Sequence, residues 1–163
     1  MTEAEWQSLK WFKNDRRNNA GVPLKKEGYS YATMIWMNEL REHLNQPIML
    51  IRGGGEHGEG KETAVDGVCK ASLGQTFLGL TRLPGVSWGI YEGGSFHLDT
   101  REYDVLPARW FGFRDTPERL AELQSFGWSS LIEKRKDGHI YMFYNTPHSF
   151  EVLSYLIDLT DRH

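Results

Sequence analysis

Two histidines and one aspartate are the residues of this chain whose types and spacing could bind a metal ion. His57 and Asp66 are separated by nine positions, and His97 follows about thirty residues later. Two imidazoles and one carboxylate form a three-ligand zinc site with one open position, which is typical of a catalytic zinc. A structural zinc needs a fourth protein ligand, most often Cys, and Cys69 is the only cysteine in the sequence. The pattern therefore predicts a catalytic metal site.

The composition and charge are those of an ordinary globular domain. The 163 residues are 39% hydrophobic and 25% charged, with a net charge of −3, so we expect one domain over 1–163. The absence of a basic block argues against a nucleic-acid partner. The longest apolar run is far shorter than the ~20 residues of a membrane span, so no membrane partner is expected. The N-terminus lacks the pattern of a signal peptide, which predicts cytoplasmic synthesis.

The elements that must position these ligands form an α+β pattern, in which a small, mostly antiparallel sheet is flanked by helices. The spacing of apolar residues predicts a helix over about 3–13 and another from Ser30, as N-cap, to about Asn45. Ser72 is predicted to cap a helix that runs to about Leu80. The predicted strands are 48–52, 64–70, 86–91 and 95–99. Alternation along the last strand places Ser95, His97 and Asp99 on one face.

The order of these motifs resembles the zinc D-Ala-D-Ala carboxypeptidase family, whose fold is shared by DD-peptidases and the Hedgehog signalling domain. The similarity covers about residues 30–112 and is greatest to the small bacterial and phage branch of that family. The matching segments are Pro47–Arg52, His57–Asp66, Gly89–Tyr91, Phe96–Arg101 and Arg109–Trp110.

The resemblance implies that His57, Asp66 and His97 are the zinc ligands. Family members cleave peptidoglycan stem peptides, either at D-Ala-D-Ala or at L-Ala-D-Glu, with a water that the metal activates. Arg52 matches the family arginine that holds a substrate carboxylate. Without a signal peptide, an enzyme of this kind would reach the cell wall by release from the cell or by association with a virion.

The resemblance leaves the general base open. Some branches carry an acid just before the last metal ligand, and the nearest carboxylate in this chain is Glu92. Glu92 is therefore the first candidate to accept the proton of the attacking water, with Glu59 and Glu56 as alternatives. Asp99 is expected to orient a metal ligand or to pair with Arg101.

Two aromatic residues precede His97 in sequence and are assigned to a substrate groove. These residues are Trp88 and Tyr91. Arg109 is interpreted as structural. His139, like the other histidines outside the proposed site, is interpreted as a surface residue, because an isolated imidazole is more often solvated than functional.

The chain departs from the family pattern in several places. Gly55 stands where the family has a serine, the spacing between His57 and Asp66 is longer than usual, and the usual longer loop between Arg52 and His57 is nearly absent. The altered loop and the missing acid beside His97 favour an alternative function. The longer loop is compatible with a metal site if the strand of Asp66 keeps its register, since a one-residue slip would turn the side chain to the other face. The alternative is a non-catalytic cell-wall-binding or phage assembly module on the same fold.

The last fifty residues are predicted to form a helix–hairpin–helix extension over about 115–163. Pro117 lies in the first turn of its first helix, and Asp137-Gly138 is a signal for a tight hairpin. The sequence leaves three roles open for this extension, which are covering the site, binding the wall and mediating dimerisation. It does not indicate an oligomeric state.

Overall fold

The computed structural model describes an α+β protein, as the sequence predicts. The described residues are 1–12, 29–52, 63–100, 107–128, 132–136, 138–143, 151, 154–155 and 157–158. The helices among them are α1 (Glu3–Ser8), α2 (Tyr31–Leu44), α3 (Leu73–Thr81) and α4 (Pro117–Ser125). The strands are β1 (Ile48–Arg52), β2 (Ala64–Cys69), β3 (Ser87–Tyr91), β4 (Ser95–Asp99), β5 (Arg109–Arg114), β6 (Ile132–Lys136) and β7 (His139–Phe143). No helix in these ranges has the length and apolar character needed to cross a membrane.

Side-chain caps begin the longer helices at the predicted positions. The hydroxyl of Ser30 accepts from the backbone N–H of Thr33 and starts α2. Ser72 and Gln75 form a reciprocal capping box at the start of α3. Each cap satisfies backbone donors that the first turn of a helix leaves without partners. The helix predicted over 3–13 is shorter, because Leu9 adopts an extended conformation after α1 and is buried.

The described strands form one seven-stranded mixed sheet in the order β1-β2-β4-β3-β5-β7-β6. Five of its ladders are antiparallel, which agrees with the prediction of a mostly antiparallel sheet. The exception is the parallel pairing of β3 with β5. Strand β5 was not predicted from the sequence. It pairs with β3, from which β4 separates it along the chain, so no hairpin signal marks the pairing.

Among the described residues, helices α2 and α3 pack against one face of the sheet, and the opposite face carries polar and aromatic side chains. Met34, Met37 and Leu40 of α2 are fully buried, and Phe77 of α3 meets the ring of Trp88 edge-on at 5.8 Å. The core residues of the central strands are Trp88, Ile90, Phe96, Leu98, Phe111 and Phe113. Because strand residues alternate between faces, the intervening residues of the same strands point away from this core.

Candidate functional site

Asp66 and His97 lie side by side on the face of the sheet opposite α2 and α3. They are direct partners in the antiparallel ladder between β2 and β4. Asp66 Oδ1 is 2.7 Å from His97 Nδ1, and the two side chains are 22% and 14% exposed. Two of the three ligands predicted from the sequence are therefore brought into contact by strand register.

A buried carboxylate lies on the other side of the same imidazole. Asp99 has no exposed surface, its Oδ2 is 3.9 Å from His97 Nε2, and its Oδ1 accepts a hydrogen bond from Thr63 Oγ1 at 3.1 Å. Burial lowers the pKa of His97, but the hydrogen bonds and charges of Asp66 and Asp99 outweigh burial and raise its pKa above the usual value. Asp99 thus has the position expected for a residue that orients His97.

The indole of Trp110 packs against His97 from β5. The ring centroids are 5.5 Å apart, and the indole occupies the space above Gly89, where any Cβ would overlap it. Gly89 is the direct partner of both His97 and Trp110 in the sheet. Trp110 Nε1 is buried and has no hydrogen-bond partner within the described ranges. The glycine therefore permits a bulky aromatic ring to shield His97 from solvent.

A cleft of about 580 Å³ begins at Asp66 and crosses this face. Its volume lies within the usual range for small-molecule and cofactor sites. The lining residues are Ile51, Asp66, Tyr91, Glu92, Gly93, Ser95, Phe96, Gly112, Arg114, His139 and Tyr141. Tyr91 lies over Gly112, where a Cβ would approach Tyr91 Cδ1 to 2.5 Å. Tyr91, assigned to a substrate groove from the sequence, is thus part of the cleft.

Tyr91 keeps its hydroxyl proton throughout the physiological pH range. Burial raises the pKa of Tyr91 above its ordinary value. The neighbouring indole of Trp110 opposes this shift, and the charges of Tyr141 and Asp66 add to it. The protonated hydroxyl can donate a hydrogen bond to a ligand in the cleft.

Glu92, the first candidate for the general base, forms an ion pair with a residue of helix α4. Its Oε2 is 3.4 Å from Nη2 of Arg119 on α4. Along β3 it lies three residues beyond Gly89, the partner of His97, which corresponds to about 10 Å. The structure places Glu92 in the cleft lining but does not bring it beside the Asp66–His97 pair.

The remaining predicted site residues separate into three groups. Trp88 does not line the cleft, because it is buried on the core face; its assignment to a substrate groove is corrected. The backbone of Arg52 is the partner of Asp66 in the β1–β2 ladder, after an irregularity in the register. The residues outside the described ranges are His57, Arg101, Glu56 and Glu59.

Three residues of the cleft were missed by the sequence analysis. Arg114 was not considered, Tyr141 was not assigned to a site, and His139 was interpreted as a surface histidine although it lines the cleft. Alternation along β7 places His139 and Tyr141 on one face. This signal was present in the sequence, but the pairing of β7 with β5 that brings them to the cleft was not.

The contacting atoms of Asp66 and His97 fit the donor set of a zinc site. Carboxylate oxygen and imidazole nitrogen both bind zinc at about 2.0–2.2 Å, and here they converge at the edge of a cleft. No group of three potential metal ligands is found within the described ranges, which do not include His57. Comparisons of the chain with models of protein families, with curated proteins and with solved structures find no match. The family resemblance therefore depends on the motifs in the sequence.

Proposed function

We propose that this chain is a zinc-dependent peptidase that cleaves peptidoglycan stem peptides and has the fold of the Hedgehog and DD-peptidase group. The observation that carries the proposal is the contact of Asp66 with His97 at the end of a peptide-sized cleft. The motifs that resemble the peptidase family supply the same two residues as ligands. Asp66 and His97 would hold the metal together with His57.

Zinc in such a site supplies a bound water with a pKa near ~7 and polarises the scissile carbonyl. The protein's own residues prepare the site for this chemistry. Asp99 restrains the His97 ring from its Nε2 side, and Trp110 covers the ring. Both contacts limit the orientations of His97, and the indole excludes water, which strengthens electrostatic interactions.

Substrate positioning is assigned to residues on either side of Asp66. Tyr91 offers a protonated hydroxyl from the cleft wall. Arg52, whose Cα is paired with that of Asp66, is proposed to bind a substrate carboxylate, as the matching arginine of the family does. A guanidinium suits this role because it presents a planar fork of donors to a carboxylate.

One observation favours the non-catalytic alternative. The ion pair of Glu92 with Arg119 directs the first candidate base toward α4. A protein that binds a metal and a wall peptide without cleaving it would need no base. The proton acceptor of a peptidase would then be Glu59 or Glu56.

Metal content and peptide hydrolysis test the two functions together. We expect about one zinc per chain, lost in His97→Ala and His57→Ala but retained in His43→Ala, which removes a histidine from the surface of α2. The loaded wild type should hydrolyse a stem pentapeptide. Zinc bound by His57 and His97 without hydrolysis would support the binding module, and absence of zinc uptake would refute both metal-dependent functions.

A further inference from the structure

The end of the cleft remote from Asp66 carries a positive charge. Arg114 at the end of β5 and His139 at the start of β7 are direct partners, and both line the cleft. No carboxylate of the described residues lies within 4.0 Å of the Arg114 guanidinium. Glu92, which also lines the cleft, is held by Arg119. The Arg114 charge is therefore available to an anionic ligand.

Three rings form a wall next to this charge. Tyr91 lies 6.0 Å from His139 and 6.4 Å from Tyr141 between ring centroids, and His139 lies 6.1 Å from Tyr141. The wall offers apolar surface to the backbone of a ligand, together with hydroxyl and imidazole hydrogen-bonding groups. Arg114 itself is exposed at the end of β5, so its guanidinium is accessible to a carboxylate that lies along this wall and can bind it with a planar fork of donors.

The sheet register gives the length of the cleft. The row of directly paired residues that contains Asp66 reaches β5 at Trp110, and Arg114 lies four residues further along that strand. Three strand spacings and four residue rises correspond to about 20 Å between the Cα atoms of Asp66 and Arg114. An extended peptide covers this distance with about five or six residues, and fewer once the reach of the arginine side chain is included.

We infer that the Arg114 end of the cleft binds a substrate carboxylate that lies about four residues from the cleaved bond. This inference rests on the proposed peptidase function and deepens it. Cleavage at D-Ala-D-Ala leaves the terminal carboxylate of a stem peptide one residue from the bond, whereas cleavage at L-Ala-D-Glu leaves it four residues away. The length of the cleft selects the second bond, and the C-terminal carboxylate is the group that Arg114 binds.

Binding of the product peptide tests the contact between Arg114 and the C-terminal carboxylate, because this peptide no longer contains the L-Ala-D-Glu bond. The probes are γ-D-Glu-L-Lys-D-Ala-D-Ala and its C-terminal amide, titrated against the wild type, Arg114→Gln and Arg82→Gln. The last variant removes an arginine at the end of α3, on the helix-covered side of the sheet. We expect the amide to bind about tenfold or more weakly than the acid in the wild type and in Arg82→Gln. In Arg114→Gln the two probes should bind equally.

An acid-to-amide ratio that is the same in the wild type and in Arg114→Gln would overturn the inference, as would failure of the wild type to bind the acid. Hydrolysis of the pentapeptide L-Ala-γ-D-Glu-L-Lys-D-Ala-D-Ala separates the two proposals. Release of L-Ala supports both. Release of the terminal D-Ala alone overturns the inference and leaves the peptidase in place. Absence of hydrolysis with an intact Arg114-dependent ratio refutes the peptidase while the carboxylate site stands.

Discussion

His97 Nε2 lies 3.9 Å from Oδ2 of Asp99, and Asp99 has no exposed surface. The opposite nitrogen of the same ring contacts Asp66 at 2.7 Å. The imidazole is therefore placed between two carboxylates, one at the cleft and one in the protein interior. This placement fixes the ring and favours its protonated form when no metal is bound.

The stability of the metal-free protein should fall as the pH rises above the ordinary pKa of histidine. Burial lowers the pKa of His97, but the contacts with Asp66 and Asp99 raise it further, so the folded state has the higher pKa. The resulting stabilisation is fully present below the unfolded value near ~6.5 and is lost as the pH rises through the folded pKa. Urea unfolding in chelator at several pH values measures the effect. The decline should be smaller in Asp66→Asn, and equal declines in both proteins would contradict this account.

The proposed metal site, in which Asp99 is not a ligand, predicts that substitution of Asp99 weakens zinc binding. Asp99→Asn removes the charge beside His97 Nε2, and loss of such an outer partner typically costs 10–100-fold in affinity. Competition with a chromophoric zinc chelator measures the change. Asp158→Asn, at an exposed helical position, is the matched control. Equal zinc affinity in Asp99→Asn and the wild type would show that Asp99 only stabilises the fold.

Glu92→Gln should reduce peptide hydrolysis only modestly. Loss of a general base costs about 10²–10⁴-fold in rate, whereas Glu92 is engaged by Arg119; we therefore expect less than a tenfold reduction in kcat. Glu118→Gln on the same helix as Arg119 is a control for the loss of one negative charge. A reduction of about a hundredfold or more would identify Glu92 as the base and require it to leave Arg119 during the reaction.

Two glycines should resist substitution by alanine because aromatic rings lie directly over them. A Cβ on Gly89 would overlap Trp110, and a Cβ on Gly112 would come within 2.5 Å of Tyr91. Overpacking of this kind costs about 1–3 kcal/mol. Thermal or urea unfolding should show the loss for Gly89→Ala and Gly112→Ala. Gly93→Ala is the control, since a Cβ there meets nothing within 4 Å, and a comparable loss in the control would exclude the rings as the cause.

The sequence was sufficient to predict the features that depend only on residues close together in the chain, such as helix starts and the faces of a strand. Ser30 and Ser72 start helices because their hydroxyls cap the turn that follows, and this chemistry can be read from a few residues. Alternation also placed His97 and Asp99 on one face. The same rule could have excluded Trp88 from the cleft, because alternation along β3 places Trp88 on the same face as Ile90, and both are core residues; proximity in sequence was the wrong criterion.

The other end of the cleft could not be predicted because it depends on pairing between distant segments. Strand β5 lies parallel to β3, and a parallel neighbour leaves no turn signal in the sequence. The aromatic alternation of Phe111 and Phe113, both buried, was a usable sign of a strand. Without the partner of that strand, Arg114 and His139 could not be connected to Asp66.

The parallel ladder between β3 and β5 divides the cleft between two parts of the chain. Asp66, His97 and Asp99 belong to strands β2 and β4 on one side of this seam, and Arg114 and His139 belong to β5 and β7 on the other. On the cleft face, aromatic rings cross this seam in both directions. Trp110 of β5 covers Gly89 of β3, and Tyr91 of β3 covers Gly112 of β5. Under the proposed function, substitutions of Arg114, His139 or Tyr141 would therefore change the ligands that the cleft accepts without altering the strands that carry the carboxylate–imidazole pair, so ligand selectivity and metal chemistry could evolve separately.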